Sequence, residues 1–89
     1  MPLISQFCGI LIYIYREIGG KHHQPHLHAK YGEYEAAYDF EGNRIDGELP
    51  RKQDRLVEAW ILLHQDEVRA AWTAWSESGV VIKIEGLRW

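Results

Sequence analysis

Hydrophobic and polar positions alternate through the middle of the chain and then change period. Residues 9–16 are rich in Ile and Tyr and are flanked by Gly9 and by Gly19-Gly20. So short an apolar run between glycines predicts a strand that is apolar on both faces. Gly32-Glu33 separates two alternating runs, and glycine first in a two-residue loop predicts a type II′ hairpin. Gly42-Asn43 repeats the signal one strand later. The expected meander is therefore 26–31, 34–41 and 44–49. Its register places Tyr31 opposite Tyr34, Ala29 opposite Ala36 and Leu27 opposite Tyr38, then Phe40 opposite Ile45 and Ala36 opposite Leu49. All of these share one side of the sheet. The other side pairs Lys30 with Glu35, His26 with Asp39, Asp39 with Asp46 and Glu41 with Arg44. A slip of one residue would mix apolar and polar partners in every row.

After residue 50 the period becomes helical. Pro50 suits a helix start, where its missing N–H has no intrahelical partner to lose. Leu56, Val57, Trp60, Ile61 and His64 recur at helical spacing, as do Val68, Ala71, Trp72 and Trp75. The polar stretch from His64 to Glu67 predicts either two helices or one bent helix, and Gly79 a C-terminal stop. Residues 80–85 alternate again and predict a short strand. The expected fold is α+β, an antiparallel meander of three to five strands with two C-terminal helices on one face. It forms a single domain over residues 1–89.

Composition narrows the class. Hydrophobic content of 46%, with four Trp, five Tyr and two Phe, is that of a folded chain. The lone Cys8 excludes an intrachain disulfide framework and fits a reducing cytoplasm. The apolar run 7–15 is too short to cross a bilayer as a helix, and its flanks do not suit a signal peptide. A cytoplasmic protein without membrane attachment is expected. The net charge of −3 gives no general attraction to nucleic acid, and the charge is uneven. Residues 21–30 carry two lysines, four histidines and no acid, whereas 33–48 carry six acids against Arg44 alone.

Four of the five histidines fall within residues 22–28. Histidine titrates near neutrality and in neutral form binds metals, so the cluster points to metal, proton transfer or phosphate. In the expected register His26, Asp39 and Asp46 form one row, with His28 two residues along the same face. Two aspartates side by side want a cation, an imidazolium or a shared proton. His22, His26 and His28 could together hold a divalent ion such as zinc, nickel or iron. A pair of histidines could instead act as acid and base on a phosphodiester. A structural or partner-binding role is the plainer alternative. Arg51-Lys52 with Arg55 could bind phosphate at a helix start or simply form a solvated first turn. The tryptophans at 60, 72 and 75 read as core, Trp89 as docking on a partner or on the sheet, His64 as a hydrogen-bonded boundary residue and Cys8 as inert.

Several of these residues carry a resemblance. The opening residues 1–10 with Tyr13 and Tyr15 are one part of it. The motif His22-x-x-Pro25-His26-x-His28-Ala29-x-Tyr31-Gly32 and the run Gly47-Glu48-Leu49-Pro50 are others, followed by Trp60, Leu63-His64 and Trp72. Together they resemble the small bacterial family called domain of unknown function 4160. Gln24-Pro25 stands where members often have Pro-Pro, and Ile18 to Lys21 differ from the family's polar loop. The resemblance implies a toxin component of a two-gene toxin–antitoxin module, paired with a small cognate antitoxin protein. If the chain is an enzyme, RNA cleavage is the expected chemistry. His26 and His28 would be acid and base, Asp39 would orient His26, Lys21 or Lys30 would bind phosphate, and a homodimer could join two such faces. The alternatives are a non-catalytic interaction module and a metal-binding domain.

Overall fold

A computed structural model describes residues 2–15 and 25–88, apart from the side chain of Tyr15. Five strands come first: β1 (Leu3–Phe7), β2 (Ile10–Tyr15), β3 (His26–Tyr31), β4 (Tyr34–Asp39) and β5 (Arg44–Glu48). They form one antiparallel sheet in chain order. Two helices follow, α1 (Arg51–Leu63) and α2 (Gln65–Ser78). The fold is α+β, as expected. Among the described residues no helix is long and apolar enough to cross a membrane.

The strand expected over residues 9–16 forms as β2, while Phe7, at the start of the apolar run, ends β1. Cys8-Gly9 turns the chain between β1 and β2, with φ of 50° and 77°. Positive φ at both positions matches the right-handed twist of a hairpin. Cys8 is exposed at this turn. β2 is apolar on both faces but not equally buried: Ile10, Ile12 and Ile14 are fully buried, while Leu11 and Tyr13 are half-buried.

β3 and β4 pair in the expected register, from Tyr31 opposite Tyr34 to His26 opposite Asp39. Gly32 has φ 59° while Glu33 stays at negative φ, as a type II′ turn requires. The second hairpin departs from expectation. Its loop is Phe40-Glu41-Gly42, closed by the Asp39 N–H donating to the Asn43 carbonyl at 2.9 Å, with Gly42 at φ 89°. The register then shifts between Ala37 and Tyr38, leaving Ile45 as an extra residue in β5. Asp46 therefore stands opposite Ala37, not Asp39, and Ala36 stands opposite Gly47, not Leu49. The row of His26, Asp39 and Asp46 does not form.

The helices cover the face that carries Ile12, Leu27, Ala29, Ala36 and Tyr38, and Val57, Trp60, Ile61, Val68 and Ala71 complete the core. Trp60 stacks on Phe7 with ring centroids 5.6 Å apart, and its indole N–H donates to the Glu85 carbonyl at 2.9 Å. Trp72 and Trp75 are half-buried against this core. His64 divides the helices: its N–H closes α1 on the Trp60 carbonyl, and its carbonyl accepts from Val68 at the start of α2. Gly79 ends α2 at φ 66°. Residues 80–85 do not form the expected strand. The Ile84 N–H donates to the Ile4 carbonyl at 2.7 Å, but no ladder develops beside β1.

One hydrogen bond ties sheet to helix. The buried Tyr38 hydroxyl donates to Asp54 in the first turn of α1 at 2.6 Å. Burial, and then the Asp54 carboxylate, push the phenol well above its ordinary value. The unfolded chain thus releases this proton near pH ~10, while the folded chain holds it. The stabilisation is complete below that pH and declines as pH rises above it. Tyr38→Phe should cost about 1–3 kcal/mol at neutral pH, because it strands the Asp54 carboxylate. Urea titrations across pH 8–11 should show a shallower alkaline decline for the variant than for the wild type.

Glycine 47 supplies a second test. A Cβ there would lie 2.2 Å from the Glu35 carbonyl, whereas one at Gly32 would meet open space, and both have positive φ. Gly32→Ala should cost about 1 kcal/mol through backbone strain. Gly47→Ala should cost at least twice that in chemical denaturation, because β4 and β5 must separate as well.

Candidate functional site

The sheet face turned away from the helices is built by alternation. Positions 26, 28 and 30 of β3 point to this side because 27 and 29 point into the core. Across β3 stand Tyr13 opposite His28 and Leu11 opposite Lys30 on β2, with Ala37 opposite His28 and Glu35 opposite Lys30 on β4. Asp46 of β5 extends the His28 row.

His26 and His28 are in contact, their ring centroids 5.2 Å apart and tilted by 57°. They differ in access. His26 is 1% exposed, while the His28 side chain keeps 15% of its surface open. Glu35 joins His28 to Lys30: its carboxylate lies 3.5 Å from His28 Nδ1 and 3.5 Å from the Lys30 ammonium. The ammonium also stands 5.4 Å from the centre of the Tyr13 ring. Beside His28 lies a hollow of about 80 Å³, lined by His28, Glu35, Ala36, Ala37, Asp46 and Gly47. The small side chain of Ala37 and the bare backbone of Gly47 leave this space beside the imidazole. His28 Nε2 is buried, so this ring can exchange a proton with a molecule in the hollow only through Nδ1, the nitrogen that faces Glu35.

Asp39 is opposite His26 in register, yet its carboxylate hydrogen bonds serve the turn. One carboxylate oxygen accepts from the N–H groups of Glu41 at 3.0 Å and Asn43 at 2.9 Å. The other accepts from the Asn43 side-chain amide at 3.1 Å. Asp39 is thus an Asx-type turn cap. His22, His23 and Lys21 lie outside the described residues. Among the described residues no three His, Cys, Asp or Glu side chains converge on a point that could hold a metal ion. His64 sits where its spacing put it, with Nδ1 2.6 Å from Glu67.

Two participants at the site are not legible as such in the sequence, and a third, Asp46, stands elsewhere than its expected row. Glu35 was visible only as the partner of Lys30, although the diagonal from i to j±2 brings it to His28 as well. Tyr13 needed the β2–β3 register, and no turn signal specified that register. Asp46 reached His28 only through the extra residue in β5.

The model of a protein family described as Domain of unknown function (DUF4160) matches residues 9–73. The matched stretch runs from the β1–β2 turn into α2 and includes His26, His28, Lys30 and Glu35. No curated protein and no solved structure matches the chain.

The turn-capping geometry separates two roles for Asp39. Asp39→Ala removes three acceptor contacts, and should lower stability by about 1–3 kcal/mol in denaturant titration. The ring resonances of His28 in NMR spectra should stay near their wild-type positions. A large displacement of those resonances with unchanged stability would show instead that Asp39 serves the histidines.

Proposed function

The chain belongs to the family described as Domain of unknown function (DUF4160), and from the histidine-bearing face of its sheet we propose a toxin component of a two-gene toxin–antitoxin module that cleaves RNA in the cytoplasm. The observation that carries this reading is the linked set of His26, His28, Glu35 and Lys30, in which one imidazole reaches the surface beside a hollow. His28 is the ring that meets substrate. It takes the proton of a ribose 2′-hydroxyl as that oxygen attacks phosphorus. It then returns a proton to the departing 5′-oxygen. Lys30 lies toward the phosphate, where an ammonium offsets the developing charge. Glu35 holds His28 and Lys30 in place, and the buried His26 supports the His28 ring from behind. A small cognate protein acts as antitoxin by covering this face.

A second reading has its own observation. Glu35 and Asp46 line the hollow, and Glu48 stands opposite Glu35. Carboxylates repel phosphate, and phosphate contacts carry much of nucleic-acid affinity. A non-catalytic module that binds a protein partner through the sheet face accommodates these acids.

Expression of the chain in a bacterial host distinguishes the two readings. The wild type should arrest growth, and co-expression of the adjacent small gene should relieve the arrest. His28→Ala should abolish it while the purified variant keeps its melting temperature. In a cleavage assay the variant should lose on the order of 10²–10⁴-fold in rate. Arrest that persists in the His28→Ala variant would favour the interaction module. Normal growth with folded wild-type protein would remove the toxin reading for that host.

A further inference from the structure

The cations of this molecule are unequally engaged. Among the described residues Lys30, Arg44, Arg69, Lys83 and Arg88 each have a carboxylate or carbonyl partner. Arg51, Lys52 and Arg55 have none, and all three are exposed. They occupy the first turn and a half of α1. Arg55 is the helical neighbour of both others, four residues from Arg51 and three from Lys52, so the three like charges adjoin on one surface. The acid in that turn does not neutralise them. Asp54 turns inward to the Tyr38 hydroxyl, and the Arg44 guanidinium reaches it from β5 at 4.0 Å. This brings a fourth cation, 44% exposed, to the same end of the helix.

Such an arrangement opposes folding. Cations in a first turn oppose the helix dipole, adjacent like charges repel, and Pro50 provides no side-chain cap. A local rule broken without an internal compensation marks a surface kept for something outside the chain. We propose that Arg51, Lys52 and Arg55, with Arg44 beside them, form a docking surface for an acidic segment of a partner protein. Three of the four are arginines, whose planar guanidinium groups match carboxylates with paired hydrogen bonds. The patch spans little more than one helical turn, which fits a short acidic segment. A nucleic acid binds through phosphates along its length, and four cations at one end of a helix offer too short a track for it. The surface lies on the helix side of the sheet, away from His28, so an acidic segment can dock whether or not the histidine face is catalytic.

The test is an NMR titration of isotopically labelled protein at low ionic strength, with a hexaglutamate peptide in one series and hexauridylate RNA in another. The peptide should shift the amides of residues 51–55 and the Arg44 side chain. The triple variant Arg51→Glu, Lys52→Glu and Arg55→Glu should lose at least about tenfold in peptide affinity. Its melting temperature should rise, because acids now meet the helix start. Should the triple variant fail to fold, Arg55→Glu alone should weaken the peptide in the same direction. Shifts confined to other parts of the chain would overturn the proposal. So would tighter binding of the RNA than of the peptide at residues 51–55, which would make the surface a phosphate site. Shifts that track protein concentration without peptide would assign it to a second copy of this chain, also against the proposal.

Discussion

The two-residue turn at Gly32-Glu33 is the constraint on which the rest of the architecture depends. A II′ turn fixes which residues of β3 and β4 stand opposite, and the pleat then fixes which face each occupies. Leu27, Ala29, Ala36 and Tyr38 go under the helices, while His26, His28, Lys30 and Glu35 go to the other side. A slip of one residue would bury the ionisable set and expose the core. The hydrophobic drive to cover the first group is therefore also what gathers the second. The core and the candidate site are two faces of a single register.

β5 modifies this frame. The three-residue turn and the extra Ile45 shift the pairing of Asp46 from Asp39 to the row of His28. That shift removes the like-charge contact between the two aspartates and sets a carboxylate at the hollow beside the exposed imidazole. It also lets Asp39 cap the turn, so that the residue best placed by register to orient His26 is engaged in holding the chain reversal. Close approach of Gly47 to the Glu35 carbonyl completes the strand pair, where any side chain would collide.

Charge is segregated between the two sides. Glu35, Asp46 and Glu48 lie along β4 and β5, and the unpaired cations gather at the start of α1. The Tyr38–Asp54 bond connects the two regions, because it draws inward the one acid of that turn and leaves its cations unopposed. Packing of α1 on the sheet and the electrostatic character of its exposed surface are thus consequences of the same hydrogen bond.

Alternation and turn chemistry made much of the fold legible. Period 2 across residues 26–39, Gly32 in the first turn, period 3.6 after Pro50 and Gly79 at the end of α2 are local signals, and the structure follows each of them. By itself the sequence determined the β3–β4 register, the face that carries His26 and His28, the succession of a β-meander by two helices, and the matched family. Only the tertiary structure decided the rest. Cys8-Gly9, both at positive φ, reverses the chain ahead of the strand read from residues 9–16, so that Leu3–Phe7 forms a further strand which the pattern does not mark. Residues 80–85 alternate like a strand but find a single backbone bond to β1, since a ladder needs a partner edge that no local pattern supplies. The extra residue in β5 is invisible in composition, yet it moves Asp46 beside His28, and the Glu35 contact to that ring follows from the three-dimensional diagonal between strands. Propensity and period act over a few neighbours, whereas a site is assembled by distances between residues far apart in the chain, and packing alone sets those distances.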